Sequence, residues 1–221
     1  MTRWEPNASG RLGLAALELY SERGYDQTTV AEIAKRAGLT ERTFFRYFAD
    51  KREVLFYGSG LLQERLVQGI DEAAPALSPI DAVGAALEAA AGPFEEARDF
   101  SLRRQAIIAA NPELQERELI KLAALAAALA DALRRRGVPD PAASLAAEAG
   151  IAVFKIAYLR WADEAGATGI AGMAGDARAI GAAGDGGATG RPTLPQLIRQ
   201  SLAELKTVTA GSCPANPPLA G

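Results

Sequence analysis

The 221-residue sequence contains no histidine, and its single cysteine is Cys213. The absence of histidine excludes Ser-His-Asp and Cys-His catalytic triads and every zinc site with a histidine ligand. One cysteine cannot form an internal disulfide or a paired-cysteine metal site, which fits a protein of a reducing compartment. The composition therefore predicts no metal and no cofactor, and it removes the commonest hydrolytic active sites.

The sequence also lacks the features that direct a chain into a membrane or out of the cell. No uncharged apolar run approaches the roughly 18 residues of a membrane-spanning helix, and residues 1–10 are too polar for a signal peptide. We therefore expect a cytoplasmic protein with no membrane partner. Lys and Arg number 24 against 27 Asp and Glu, a net charge of −3, which argues against a wholly basic nucleic-acid coat.

Aromatic residues are few, at 6%, whereas alanine is abundant and apolar residues recur at spacings of three and four. This pattern predicts an all-α protein, because few segments show the alternation typical of strands. The length allows one large domain or a small domain joined to a larger one. The predicted helices, about nine in number, are 11–23, 29–36, 40–47, 51–74, 79–92, 94–110, 113–136, 141–165 and 193–209.

Two segments depart from the helical pattern. Residues 166–191 are rich in glycine and contain no aromatic residue, so they cannot bury enough surface to offset the entropy lost in ordering. We expect a flexible loop over 166–191 and a disordered tail over 211–221.

The first 50 residues have the pattern of a helix-turn-helix. The first two predicted helices each have one apolar face, and Gly38 permits a sharp reversal before a third helix begins at Thr40. From Lys35 to Arg52, six basic residues stand against two acidic ones. We predict a DNA-binding domain over 1–50, followed by a larger helical domain over 51–210.

The third helix would read DNA with its exposed side. Its pattern places Phe44 and Phe48 inward and leaves Glu41, Arg42 and Phe45 facing outward, together with Thr40 and Arg46. In a major groove Arg can pair with guanine, Glu can accept from cytosine, and Phe can pack on a thymine methyl.

Two further residues are placed to bind phosphates. Thr29 and Lys51 each stand at the start of a predicted helix, where a side chain and free backbone N–H groups can act together. A solvated helical face is the ordinary interpretation of any one of these charges. The turn, the core pattern, the basic patch and the exposed aromatic residue together favour DNA binding.

Residues 11–57, above all Gly24–Ala34 and Ala37–Lys51, resemble the DNA-binding domain of the TetR family of bacterial transcriptional regulators. The rest of the chain agrees with that family only in being helical and of suitable length. The resemblance implies base contacts by Glu41, Arg42 and Phe45, and DNA-backbone contacts by Thr29, Thr40, Thr43, Tyr47 and Lys51, with Arg46 able to make either. The family usually has Tyr where this chain has Phe45, so only an apolar contact remains there.

The resemblance also implies that 51–210 is a ligand-binding and dimerisation domain. In the dimer, a helix beginning at Lys51 would transmit a ligand signal and release a near-palindromic operator. Helices 141–165 and 193–209 carry apolar faces that could form a four-helix dimer interface, although composition alone slightly favours burial within one chain. These faces comprise Leu145, Ala149, Ala152, Val153, Ile156 and Ala157 on the first helix, and Leu194, Leu197, Ile198, Leu202 and Leu205 on the second.

The candidate ligand contacts are the larger or polar residues of the Ala-rich helices, namely Phe94, Phe100, Gln105, Phe154, Tyr158 and Trp161. Most residues of this kind form ordinary core, but a cavity among them would suit a small apolar or aromatic molecule. We therefore predict a ligand-responsive DNA-binding regulator, usually a repressor in this family. The alternative is an architectural DNA-binding protein without a small-molecule sensor.

An enzyme is the least favoured class. Its only material is the carboxylate pairs Glu95/Glu96 and Asp163/Glu164. Adjacent helical residues point about 100° apart, so neither pair converges on a substrate as an acid and a base would.

Overall fold

Helices make up nearly all of the regular structure. A computed structural model describes residues 8–172 and 191–211, and within these ranges it contains α-helices and one 3₁₀ turn but no β-strand. The all-α prediction is therefore confirmed. The elements are α1 (Ala8–Arg23), α2 (Val30–Arg36), α3 (Glu41–Tyr47), the 3₁₀ turn (Glu53–Phe56), α4 (Ser59–Glu72), α5 (Pro79–Ala90), α6 (Gly92–Glu96), α7 (Arg98–Ala109), α8 (Pro112–Arg135), α9 (Ala142–Gly172) and α10 (Leu194–Thr209).

The three N-terminal helices pack around one apolar cluster. Leu12 and Leu19 of α1 meet Ile33 of α2 and Phe44 of α3, and all four side chains are almost fully buried. The same cluster includes Ile107, Ile108 and Leu114, which come from the end of α7 and the start of α8. The N-terminal helices thus pack on the segment that directly follows them, through Val54, Leu55 and Phe56, and also on the hairpin between α7 and α8.

The second apolar cluster lies among α4, α5, α8, α9 and α10. Small residues let these helices approach closely. A Cβ at Gly69 of α4 would lie 2.8 Å from the Cβ of Ala86 in α5, and a Cβ at Gly150 of α9 would overlap the side chain of Val83 in α5. The abundance of alanine in the sequence therefore reflects helices that cross at short range.

The helix predicted over 51–74 is wrong in its first turns. The chain instead forms the 3₁₀ turn and then begins α4 at Ser59. Val54, Leu55 and Phe56 are all buried, and three consecutive buried side chains do not fit one face of an α-helix. Lys51 consequently does not stand at a helix N-terminus.

Two other predicted bounds differ from the structure. The segment predicted as one helix over 94–110 is divided at Ala97, which leaves the helical conformation with φ −108° and ψ 38°. The helix predicted to end at residue 165 continues to Gly172, so the first part of the predicted flexible loop is helical. Residues 173–190 of that loop and 212–221 of the predicted tail lie outside the described residues.

The long helix α9 includes a segment, Ala142–Asp163, that is long and apolar enough to cross a membrane by these two criteria alone. Half of it is buried within the fold, and it packs against α5, α8 and α10. Burial on this scale is what a core helix of a helical bundle requires.

Candidate DNA-binding surface and ligand cavity

The turn between α2 and α3 is held by a residue of α1. Gly38 has a φ of +66°, the left-handed conformation that favours glycine. Arg11 donates from Nε and a terminal nitrogen to the carbonyl oxygen of Ala37, at 3.1 and 2.5 Å. Sequence reasoning missed Arg11, because a basic residue on an amphipathic helix gives no sign that it reaches 26 residues along the chain. The contact fixes the turn against α1.

Helix α3 begins with a side-chain cap and presents one polar face. The Thr40 hydroxyl accepts from the backbone N–H of Thr43 at 3.2 Å, which satisfies one of the free donors at the helix start. Phe44 and Phe48 are buried, as expected, and anchor the helix to the N-terminal cluster. The five residues predicted to face DNA from this helix are all exposed: Thr40, Glu41, Arg42, Phe45 and Arg46.

Exposed aromatic residues accompany these polar groups. Phe45 is 55% exposed and Tyr47 is 46% exposed. The guanidinium of Arg46 lies 5.0 Å from the centre of the Tyr47 ring and donates to its hydroxyl at 3.3 Å. Two exposed aromatic side chains lack the free energy that burial of their rings would supply. Contact with the bases and sugars of DNA would bury them.

The basic patch from Lys35 to Arg52 is partly neutralised in the fold. Arg36 pairs with Glu18 and Glu22 of α1 at 3.0 and 2.9 Å, and this guanidinium lowers the pKa of Glu22. Arg52 pairs with Asp50 at 2.6 Å. By contrast, Lys35 and Arg42 make no ion pair or hydrogen bond with any residue that the structure describes. Arg42 of α3 therefore has a guanidinium without a partner among the described residues.

Thr29 occupies the N-cap of α2 in a capping box. Its hydroxyl accepts from the N–H of Glu32 at 3.3 Å, and the Glu32 carboxylate accepts from the N–H of Thr29 at 2.9 Å. The hydrogen bonds from Thr29 lower the pKa of Glu32. The exposed hydroxyl thus has a structural partner, and its contact with DNA stays a prediction.

Lys51 faces the protein rather than an open surface. Its ammonium donates to the carbonyl oxygens of Tyr25, Asp26 and Thr28 at 2.9, 3.4 and 3.3 Å. An ammonium has three donors, so all of them have backbone partners before any phosphate arrives. The structure therefore gives Lys51 a role in holding the turn before α2, and a phosphate contact by Lys51 would displace one of these bonds.

Two buried tyrosines extend this contact to the later helices. The Tyr20 hydroxyl donates to the carbonyl of Lys51 at 2.8 Å, and the Tyr25 hydroxyl donates to Glu113 of α8 at 3.2 Å. Burial raises the pKa of both hydroxyls, and the nearby Glu113 carboxylate raises that of Tyr25 further. The turn before α2 is thereby tied to the start of α8.

A cavity of about 380 Å³ lies between the 3₁₀ turn and α4, α6, α7, α8 and α9. This volume is within the range of small-molecule pockets. Most of its wall is apolar. The charged side chains of its wall are Arg65, Arg104, Glu118, Lys121 and Lys155.

The cavity contains five of the six predicted ligand residues in its wall: Phe94, Phe100, Gln105, Phe154 and Tyr158. Trp161 is not in the wall. It is fully buried, its indole N–H donates to Glu95 at 2.7 Å, and the Arg98 guanidinium lies 4.2 Å from its ring centre. Glu95 also accepts from the N–H of Leu194 at 2.5 Å, so Trp161 belongs to a contact that joins α6, α9 and α10.

The cavity adjoins the base of the N-terminal helices through Arg104 of α7. Arg104 donates to the carbonyl of Leu55 at 2.7 Å and pairs with Glu118 at 3.3 Å. Its guanidinium also lies 4.9 Å from the ring centre of Phe56. One side chain of the cavity wall thus contacts the 3₁₀ turn, whose Val54, Leu55 and Phe56 belong to the N-terminal cluster.

The carboxylates of Glu95 and Glu96 have different surroundings. Glu95 is engaged by Trp161, Leu194 and Arg98, whereas Glu96 is exposed on the neighbouring position. No group of acidic or cysteine residues in the described ranges could hold a metal ion.

The predicted dimer faces differ in their surroundings. Leu194, Leu197, Ile198 and Leu202 of α10 are buried within the same chain, and so are Val153 and Ala157 of α9. These six side chains form the core between α5, α9 and α10, as expected for burial within one chain, and a dimer through other side chains of the two helices stays a prediction. Leu145, Ala152 and Ile156 of α9 remain exposed, and Leu159 joins them.

These features are a helix-turn-helix with an exposed polar face on α3, and a largely apolar cavity among the later helices. Residues 14–57 match the family of bacterial regulatory proteins named tetR. The N-terminal helices of the chain are therefore similar to this family, and the residues that the structure describes are all-α.

Individual relatives support the same assignment. The chain is 35% identical over 77 residues to the HTH-type transcriptional regulator TcmR of Streptomyces glaucescens, covering 35% of this chain and 34% of TcmR. It is 43% identical over 42 residues to the regulator HbdR of Aromatoleum sp. (strain CIB), covering 19% of this chain and 18% of HbdR. These alignments thus span about a third or less of the relatives' lengths.

The fold extends beyond the aligned N-terminal segment. The structure of the fatty acid degradation regulator FadR from Bacillus halodurans superposes with a TM-score of 0.55 at 17% identity. The superposition covers 89% of this chain and 96% of that one. At this identity the likeness concerns the fold.

Proposed function

We propose that the protein is a dimeric transcriptional regulator that binds a DNA operator through α3 and leaves it when a small molecule occupies the cavity. The observation that carries the proposal is the exposed face of α3, where Glu41, Arg42 and Phe45 stand beyond a buried Phe44 anchor. A short helix held in this way matches the recognition helix of helix-turn-helix proteins, whose N-terminal residues contact base edges. Thr29, Thr40, Thr43, Tyr47 and Lys51 are the proposed contacts to the DNA backbone.

The dimer would form along the exposed stripe of α9. Leu145, Ala149, Ala152, Ile156 and Leu159 follow one another at alternating spacings of four and three, which places them on one side of the helix. Leu145 is 66% exposed and Ile156 is 53% exposed, which is unusual for large apolar side chains on a helix that is otherwise core. A second copy packed on this stripe would form a two-fold interface with self-complementary contacts.

Such a dimer would set the form of the operator. Two recognition helices related by a two-fold axis read two half-sites about 34 to 36 Å apart on one side of the duplex. The operator would therefore be near-palindromic.

The cavity would be the sensor, and we propose a small apolar or aromatic effector for it. A ligand lowers DNA affinity only if it binds the DNA-free state more tightly than the DNA-bound state. Arg104 offers a physical route, because it lines the cavity and also holds the 3₁₀ turn at the base of the N-terminal helices. Regulators of the family that the N-terminal helices resemble are usually repressors. We therefore propose that the effector releases repression, in the cytoplasm.

An architectural DNA-binding protein without a sensor is the alternative. The 380 Å³ cavity disfavours it, because an open cavity forfeits packing that a purely structural protein could use. We propose no enzymatic activity, since Glu95 is bonded to Trp161 and Leu194 whereas Glu96 is exposed.

The experiment is selection of genomic DNA fragments by the purified protein at physiological salt, with wild type and Arg42→Ala in parallel. We expect wild type to retain one or a few near-palindromic sites that Arg42→Ala enriches less. Retention of no fragment, or of all fragments alike, would overturn the proposal for α3.

A further inference from the structure

Unpaired positive charges occur at only two places among the residues that the structure describes. Nearly all described Lys and Arg side chains bond to a carboxylate, a carbonyl oxygen or a tyrosine hydroxyl. The four without any such partner are Lys35, Arg42, Arg65 and Lys155. Lys35 and Arg42 lie on the candidate DNA-binding surface, whereas Arg65 of α4 and Lys155 of α9 lie in the wall of the cavity.

The remaining charges of the cavity wall are balanced within the protein. Arg104 pairs with Glu118 at 3.3 Å, and Lys121 pairs with Glu53 at 2.9 Å. Arg65 and Lys155 are therefore left as two uncompensated positive charges beside an apolar space. Both are exposed, so their ammonium and guanidinium groups stay hydrated while the cavity is empty of ligand.

We propose that the cavity binds an amphipathic anion, whose apolar body lies among the phenylalanine and leucine side chains and whose carboxylate or phosphate is held by Arg65 and Lys155. This inference rests on the proposed function and names the chemical class of its effector. Burial of an apolar chain supplies affinity, and the two cations favour a negative head group over a neutral or positive one. A cationic ligand of the same shape would meet two like charges.

The test is calorimetric titration of the DNA-free full chain with four matched probes below their micelle concentrations. Laurate and dodecyl phosphate carry the anionic head groups, dodecanol is neutral and dodecylamine is positive. The titrations are repeated with Arg65→Gln, Lys155→Gln and the double variant. Lys35→Gln is the matched control, because Lys35 is also an unpaired cation but does not line the cavity.

We expect at least one anionic probe to bind more tightly than dodecanol and dodecylamine, with an affinity that falls as salt rises. Each single variant should bind it about threefold more weakly and the double variant about tenfold, whereas Lys35→Gln should match wild type. Tighter binding of laurate would identify a carboxylate head group, and tighter binding of dodecyl phosphate a phosphate.

Three results would overturn the inference: no binding of any probe, equal binding of all four, or anion binding that the double variant retains in full. Each would leave genomic DNA selection unaffected, so failure of this inference is distinguishable from failure of the proposed function. If the wild-type protein instead binds the anionic probes in a charge-dependent way but selects no specific DNA site, the proposed DNA-reading role of α3 is contradicted.

Discussion

Arg42 and Lys51 are two basic residues of one short segment, and the fold places them in opposite surroundings. Arg42 is exposed on α3 without a partner, whereas the Lys51 ammonium bonds to three backbone carbonyls. Position in the sequence did not separate them, because both carry a positive charge close to a predicted helix start. Side-chain partners decide which of the two is available to DNA.

Replacement of Arg42 by Ala should relax the sequence preference of DNA binding at one or two base pairs. We expect a cost of about 1 to 3 kcal/mol on a specific site and much less on random DNA, because a bidentate contact to guanine is lost. Competition titrations with single-base operator variants measure this. An equal loss on specific and random DNA would show that Arg42 contacts only the DNA backbone.

Replacement of Lys51 by Met should destabilise the fold. Three carbonyl oxygens at the turn before α2 would lose a charged donor, and we expect a loss of about 1 to 3 kcal/mol in the free energy of unfolding. Urea denaturation measures it, with Lys35→Met as the control because Lys35 has no partner among the described residues. Equal stability of the two variants would contradict the structural role of Lys51.

At the scale of elements, the turn between α3 and α4 depends on one carboxylate. Asp50 accepts from the backbone N–H of Arg52 at 2.8 Å and of Glu53 at 3.3 Å, and it binds the Arg52 guanidinium. The Arg52 side chain, followed by these backbone donors, lowers the pKa of Asp50. The ionised carboxylate is therefore the form that the fold stabilises.

This lowered pKa predicts a stability that depends on pH. A depressed folded-state pKa adds stability above the unfolded value of about 3.9, and that stability is lost as the pH falls through the folded-state pKa. Asp50→Ala should therefore cost about 1 kcal/mol at neutral pH and distinctly less in acid. Urea midpoints at neutral and acid pH test this, with Asp26→Ala as a control, and a gap that stays constant in acid would contradict it.

The helices could be predicted from sequence wherever a periodic apolar face and a cap occur together. Thr29 and Thr40 cap α2 and α3 as their residue type suggests, and Gly38 takes the left-handed conformation between them. The 3₁₀ turn could not be predicted, because Val54, Leu55 and Phe56 read equally well as part of a longer helix. Their burial on all sides depends on α1 and α7, which sequence spacing does not reveal.

The residues of the candidate sites, too, could be predicted from sequence only in part. Exposure along α3 follows from its periodicity, and five of the six aromatic or polar residues chosen for the ligand lie in the cavity wall. Trp161 and the apolar face of α10 lie in the core of the chain instead. The sequence does not distinguish these places, because a large or apolar side chain fits a core as well as a cavity or an interface. Which neighbour covers it is a tertiary property.

At the scale of the whole molecule, the stripe on α9 predicts a dimer. Ile156→Asp would place a charge at the middle of the proposed two-fold interface, and its desolvation should favour the separate chains. Light scattering should give wild type twice the chain mass of 23.1 kDa and the variant a single chain mass. Leu119→Asp, at a 58% exposed position of α8 outside the stripe, should remain dimeric. A monomeric wild type, or a dimeric Ile156→Asp, would contradict this interface.

The whole molecule also connects the candidate DNA-binding surface and the cavity through shared packing. The end of α7 and the start of α8 belong to the N-terminal cluster, and the same two helices supply part of the cavity wall. A ligand that separates these helices would alter the support of α3 without touching it. This arrangement is a physical basis for coupling two separate sites.

The proposal that a dimer reads DNA through α3 is tested most directly by hydroxyl-radical footprinting of the wild-type protein on a fragment retained in the genomic selection. Two recognition helices in a two-fold dimer should protect two symmetric stretches whose centres lie about 34 to 36 Å apart on one face of the duplex. A single protected stretch without symmetry, or uniform weak protection along the fragment, would contradict a dimeric regulator that reads DNA through α3.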